Sequence, residues 1–144
     1  MMYFRQGDRV EVASKEDGFV GSYYKATVVA PIPRHNQYVV EYKTLVEDHD
    51  MSTPLREVVD ATEVRPRPPA LYKAKFRLGD RVDAFDNDGW WVGTVSGADL
   101  NEGKYYVYFE IFGVEIGYDA KKLRVHQDWN NGRWKNMSAG PFNL

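Results

Sequence analysis

Apolar side chains return at every second position through most of this chain, and a period of two predicts strands. Val10 and Val12 alternate with Arg9 and Glu11; Tyr24, Ala26 and Val28 alternate with Lys25 and Thr27; Tyr38, Val40 and Tyr42 alternate with Val39 and Glu41. The pattern predicts strands over 8–13, from Tyr24 to a stop at Pro31 and Pro33, over 38–42 and over 55–59. A short helical turn at 60–65, capped by Asp60 or Thr62, leads to a closing strand. A second set follows at 80–85, 91–96, 104–110 and 114–118, with its own turn at 119–123.

The second set is a copy of the first. Phe4-Arg5-Gln6-Gly7-Asp8-Arg9-Val10 returns 72 positions later as Phe76-Arg77-Leu78-Gly79-Asp80-Arg81-Val82. Tyr23-Tyr24-Lys25-Ala26-Thr27-Val28 answers to Trp90-Trp91-Val92-Gly93-Thr94-Val95 at offset 67, as does Tyr38 to Tyr42 with Tyr105 to Phe109. Asp60-Ala61 answers to Asp119-Ala120 at offset 59. The falling offset places extra residues of the first copy in two connections, a polar loop before Tyr23 and the acidic stretch Glu47-Asp48-His49-Asp50-Met51-Ser52-Thr53-Pro54. An internal repeat decides the fold reading: all-β, two small bent β-barrels of five short strands, residues 1–69 and 70–144. A module this small buries only about 60% of its unfolded surface, so the two are expected to pack as one unit. Pro66-Arg67-Pro68-Pro69-Ala70 reads as a stiff linker. Trp129 and Trp134 flank an Asn-Gly turn in the tail and are expected to close over the seam between modules.

Composition narrows the function. There is no cysteine, hence no disulfide, thiolate metal site or cysteine nucleophile. His35, His49 and His126 fall in unrelated loops and read as surface residues, and no phosphate-cradling or zinc-protease motif is present. No apolar run approaches the roughly 18 residues of a membrane span. These signs point to a binding module rather than an enzyme, with no cofactor, no metal and no membrane. A net charge of −2 argues for a basic partner over nucleic acid, whose binders usually carry a basic excess.

Gly-Asp-Arg-Val at 7–10, an aromatic pair before Ala-Thr-Val at 26–28, the strand Tyr38-Val39-Val40-Glu41-Tyr42 and the Asp128-Trp129 tail together resemble the Agenet domain, a plant Tudor-like member of the Royal family, in tandem. The resemblance covers residue 4 to about 134 and extends to plant Agenet-domain heterochromatin readers and domain-of-unknown-function-724 proteins. It implies a nuclear chromatin reader that binds a histone H3 tail, with dimethylated lysine nine as the preferred mark. It implies too that the chain is a monomeric fragment of a larger multi-Agenet protein.

Tudor-like domains build their methyl-lysine cage from the end of strand one, the start of strand two, the end of strand three and the turn after it. In the first copy, the preferred one, the resemblance points to Tyr24 and Tyr42, with Phe19, Tyr23, Glu47 and Asp48 brought by the longer connections. In the second copy it points to Phe85, Trp91, Phe109 and Phe112, with Asp86 beside them. Aromatic faces hold a methylammonium ion by cation–π attraction. Glu16, Asp17, Asp50 and Asp88 suit the basic residues of the same peptide. The same rings could all be core, since aromatics carry large buried area in small barrels, and Trp90, opposite Trp91, is expected to pack between modules. Two rival readings remain: a nucleic-acid or RNA-binding barrel that stacks bases, and a protein-interaction scaffold without a working cage.

Overall fold

The computed structural model describes residues 3–16, 20–69, 71, 73 and 75–136. It divides into two compact units, Met1–Arg67 and Pro68–Leu144. The first unit holds β1 (Arg9–Ala13), β2 (Ser22–Ile32), β3 (Gln37–Val46), β4 (Pro54–Asp60) and β5 (Val64–Pro66). They pair antiparallel in the order β5–β1–β2–β3–β4. The second unit repeats this with β6 (Arg81–Asp86), β7 (Gly89–Asp99), β8 (Lys104–Phe109), β9 (Val114–Asp119) and β10 (Leu123–Val125), in the order β10–β6–β7–β8–β9.

Neither sheet closes into the barrel that five strands suggested. Among the described residues β4 pairs only with β3, and β9 only with β8. A single 3-10 turn, Ala61–Glu63 or Ala120–Lys122, carries each of them over to β5 or β10. The turns lie where the sequence places them, but the Asp60 side chain makes no capping bond.

Gly-Asp-Arg-Val does the same work twice. Gly7 and Gly79 both stand at φ 90°, a conformation open chiefly to glycine. Their N–H groups donate to the Val28 carbonyl at 2.8 Å and the Val95 carbonyl at 2.9 Å, while Asp8 and Asp80 accept the amides of Arg5 and Arg77 on their carboxylates. The motif thus locks the entry to the first strand onto the middle of the second.

Alternation then fills each core. Val10, Val12, Tyr24, Ala26, Val28, Tyr38, Val40 and Tyr42 meet Val59 and Val64 in the first unit. Val82, Ala84, Val95, Tyr105, Val107 and Phe109 meet Phe76, Tyr118, Leu123 and Val125 in the second. β2 runs on through Pro31, past a bulge between Val28 and Ala30. β1 no longer pairs with it there, so the missing proline N–H breaks no bond to β1.

The linker divides between the units. The Arg67 guanidinium donates to the carbonyls of Val10 at 3.3 Å and Ala26 at 3.2 Å. The Pro69 carbonyl accepts from Gln127 at 3.0 Å. The tail forms a hairpin, β11 (Gln127–Asn130) with β12 (Arg133–Asn136), around Asn131 and Gly132, both at positive φ. Trp129 and Trp134 face one another across it at 5.1 Å.

Candidate functional site

The two faces of the first sheet carry different chemistry. On the core face the rings of Tyr24 and Tyr42 meet edge to face at 6.4 Å and 89°. Cross-strand pairing brings them there: Tyr24 sits opposite Val12, and Tyr42 opposite Ala26. The two rings line a cavity of about 450 Å³ together with Val12, Ala13, Ser14, Lys15, Glu16, Leu45, Leu55, Glu57 and Glu63. Three carboxylates and one ammonium thus share the space with two aromatic walls. The Tyr42 hydroxyl donates to Glu57 at 2.9 Å. Burial, and then the Glu57 carboxylate, push the Tyr42 phenol far above its ordinary value, so it stays a donor. Lys15 places its Nζ 3.4 Å from Glu63 and 4.0 Å from Asp60.

Of the residues expected to form the first-unit cage, Tyr24 and Tyr42 come together, with Glu16 beside them. Tyr23 does not join them. Strand alternation turns it to the other face, where the Arg65 guanidinium covers its ring at 3.5 Å. Glu47 and Asp48 lie in the β3–β4 connection and do not line the cavity. Asp50 bonds within its own loop. Its carboxylate accepts from the Ser52 amide and from the hydroxyls of Ser52 and Thr53, and those bonds hold its pKa down. Phe19 and Asp17 lie outside the described residues. Glu57 and Glu63 were not singled out by the sequence. Val40 pairs with Glu57 across β3 and β4, and the alternation from Leu55 to Val59 was the one local sign of it.

In the second unit Trp91 and Phe109 occupy the positions of Tyr24 and Tyr42. Trp91 meets Phe112 at 5.6 Å, and its Nε1 donates to the Asp86 carbonyl at 2.7 Å. Phe109 meets Tyr118 at 6.2 Å, and the Tyr118 hydroxyl donates to the Asp86 carboxylate at 2.7 Å. Burial and then Asp86 raise the Tyr118 phenol well above its ordinary value. Tyr118 was not anticipated. Phe85 does not belong to this group: it pairs with Trp90 across β6 and β7 and turns to the opposite face. Asp88 is the second residue of the two-residue turn between those strands, at φ 66° after Asn87 at 47°, the type I′ pattern.

The opposite face is duplicated too. Glu11, fully buried, accepts from Arg65 Nη2 at 2.8 Å and Nε at 3.3 Å, and Arg65 stacks on Tyr23. Asp83, equally buried, accepts from Arg124 Nε at 2.8 Å, and Arg124 lies 4.1 Å from the Trp90 ring centroid. His126 joins the second set, with Nδ1 2.7 Å from Asp83 and Nε2 2.9 Å from Asp128. It is buried, contrary to its reading as a surface histidine. Burial pushes Asp83 up, but the His126 bond and the Arg124 and His126 charges outweigh it and hold its carboxyl below the usual range. Among the described residues no group of three or more His, Asp or Glu is placed to hold a metal ion.

Comparison with known proteins matches the Agenet domain model to residues 7–69, the first unit. The Arabidopsis thaliana protein Agenet domain-containing P1 is 39% identical over 92% of this chain. The chain belongs to the Agenet family. A domain-of-unknown-function-724 protein of the same plant, number 3, is 37% identical over 87% of the chain. The crystal structure of domains 3 and 4 of Arabidopsis AGDP1 superposes with a TM-score of 0.85 at 38% identity, covering 92% of this chain and 89% of that one. The ADCP1 tandem Agenet domain 3-4 gives 0.81 at 34% identity, covering 92% and 87%. Both Agenet units are therefore present in tandem, including the second, which the domain model does not reach. The chain spans 27% of the first of these curated relatives and 18% of the second.

Proposed function

We propose that this tandem Agenet chain is a chromatin-reader module that binds a histone H3 tail and holds a methylated lysine, dimethylated lysine nine, between Tyr24 and Tyr42. The observation that carries this reading is the edge-to-face tyrosine pair on a cavity of about 450 Å³ with carboxylates around it. A methylammonium ion keeps its charge and gains apolar surface, so ring faces suit it. Glu16, Glu57 and Glu63 add the field that draws a cation in. The chain acts by binding rather than catalysis, in the nucleus, as part of a longer protein.

Titration of the chain with H3 tail peptides, unmodified and dimethylated at lysine nine, tests the reading. The methylated peptide should bind with a Kd on the order of micromolar. Tyr24→Leu and Tyr42→Leu, which keep apolar bulk, should each lower the methyl preference roughly 2- to 30-fold, the worth of one ring. Trp91→Leu should leave it unchanged. Equal affinity for the two peptides refutes the reading, and a loss confined to Trp91→Leu moves the site to the second unit.

A further inference from the structure

The cavity contains a cation of its own. Lys15 lines it and sets its ammonium 3.4 Å from Glu63 Oε1. The two partners differ in environment: the Lys15 side chain is 64% exposed, the Glu63 side chain 15%. Glu63 is thus a largely buried carboxylate whose ammonium partner arrives from the solvent side. We propose that Lys15 is a specificity-determining residue, a resident ammonium that occupies Glu63 and so turns unmodified lysine away. The inference rests on the reading of this cavity as a methyl-lysine site.

An unmodified lysine brings three N–H donors and a tightly held hydration shell. To leave water it needs carboxylate acceptors in return. Of the three carboxylates on the cavity, Glu57 already accepts the Tyr42 hydroxyl at 2.9 Å and Glu63 already holds Lys15, which leaves Glu16 for either ligand. A dimethylated lysine keeps one N–H and presents methyl groups, so most of its attraction comes from the ring faces of Tyr24 and Tyr42. The positive charge of Lys15 repels both ligands alike, and that part cancels in the ratio of their affinities. What does not cancel is the acceptor: only the ligand with several free N–H groups gains much when Glu63 is released.

The test uses the whole chain and the unmodified and dimethylated H3 tail peptides, with Lys15→Ala and Lys15→Arg. Lys15→Ala should bind the unmodified peptide about fivefold more tightly, the upper end for an ion pair with an exposed partner. The dimethylated peptide should gain only the relief from repulsion that both ligands share, so the preference ratio should fall. Lys15→Arg keeps a cation on Glu63 and should keep the wild-type ratio. Equal gains for the two peptides, or no gain for the unmodified one, overturn the role of Lys15 while leaving the cage standing. Failure of the wild-type chain to prefer the dimethylated peptide overturns the cage, and this inference with it.

Discussion

The duplicated buried ion pair allows one substitution to be made twice in nearly the same surroundings. Arg65→Met removes the guanidinium from Glu11, a carboxylate with no exposed surface. Two bonds go, at 2.8 and 3.3 Å, with the stack on Tyr23. Breaking a buried pair in this way costs about 3–5 kcal/mol, because the desolvated charge remains. Arg124→Met is the matched change, but Asp83 there keeps a second partner, His126 at 2.7 Å. Its cost should approach that of one charged hydrogen bond, about 1.5–3 kcal/mol. Urea unfolding at pH 7 measures both. Far-ultraviolet circular dichroism follows the whole chain, and tryptophan fluorescence follows the second unit, which holds all four tryptophans. A further Glu11→Leu in the Arg65→Met background should recover most of the loss, since an apolar pair of similar size is often neutral or better. A cost for Arg124→Met equal to or above that of Arg65→Met refutes the shielding role given to His126. A cost for Arg65→Met under about 1 kcal/mol would refute the buried-charge argument altogether.

Two other outcomes follow from the same geometry. A Cβ built on Gly93 would lie 2.5 Å from Val107 Cγ1 and 3.0 Å from the Tyr108 carbonyl; Gly93→Ala should therefore destabilise by about 1–2 kcal/mol net, overpacking outweighing the entropy gained in the unfolded chain, as a fall in urea midpoint. Asp83 has its pKa lowered by folding, so its contribution is present above the unfolded value of about 3.9 and is lost as pH falls through the lower folded value; acid unfolding monitored by fluorescence should begin below about pH 4, and Asp83→Asn should flatten that dependence while lowering stability at pH 7.

Most of the strand framework was legible because its signals are local. Alternation from Val10 to Tyr42 named the core face, and Gly7 with Asp8 named the turn, since φ 90° and an amide-accepting carboxylate depend on neighbours within three residues. The candidate site was less legible where its parts meet across strands. Glu57 reaches the cavity through its pairing with Val40, and His126 finds Asp83 from 43 positions away. Neither relation leaves a mark on a single segment. Tyr23 and Phe85 are different, because alternation already placed them opposite Tyr24 and Trp91. Tyr23 entered the cage by adjacency to Tyr24 in sequence, which in a strand means opposite faces, and Phe85 entered as the end of the first strand of its copy. In the acidic run, Asp50 followed by Ser52 and Thr53 is the chemistry of a self-bonded turn.

The open seam beyond β4 and β9 has a consequence for how such units diverge. In a closed barrel, strand number, tilt and stagger are linked, and the interior cannot be resized without moving every strand. Among the described residues the last strand of each sheet is bonded on one side only, so its side chains can change without any ring to reclose. The registers correspond: Val59 lies opposite Tyr38 as Tyr118 lies opposite Tyr105, and Glu57 opposite Val40 as Ile116 opposite Val107. At those two positions one copy carries Val59 and Glu57, the latter on the cavity wall, and the other carries Tyr118 and Ile116, with Tyr118 laid against Phe109. The edge strand is thus one place where two copies of a module differ in what they set beside the same ring positions: the Glu57 carboxylate next to Tyr42 in one, the Tyr118 ring next to Phe109 in the other.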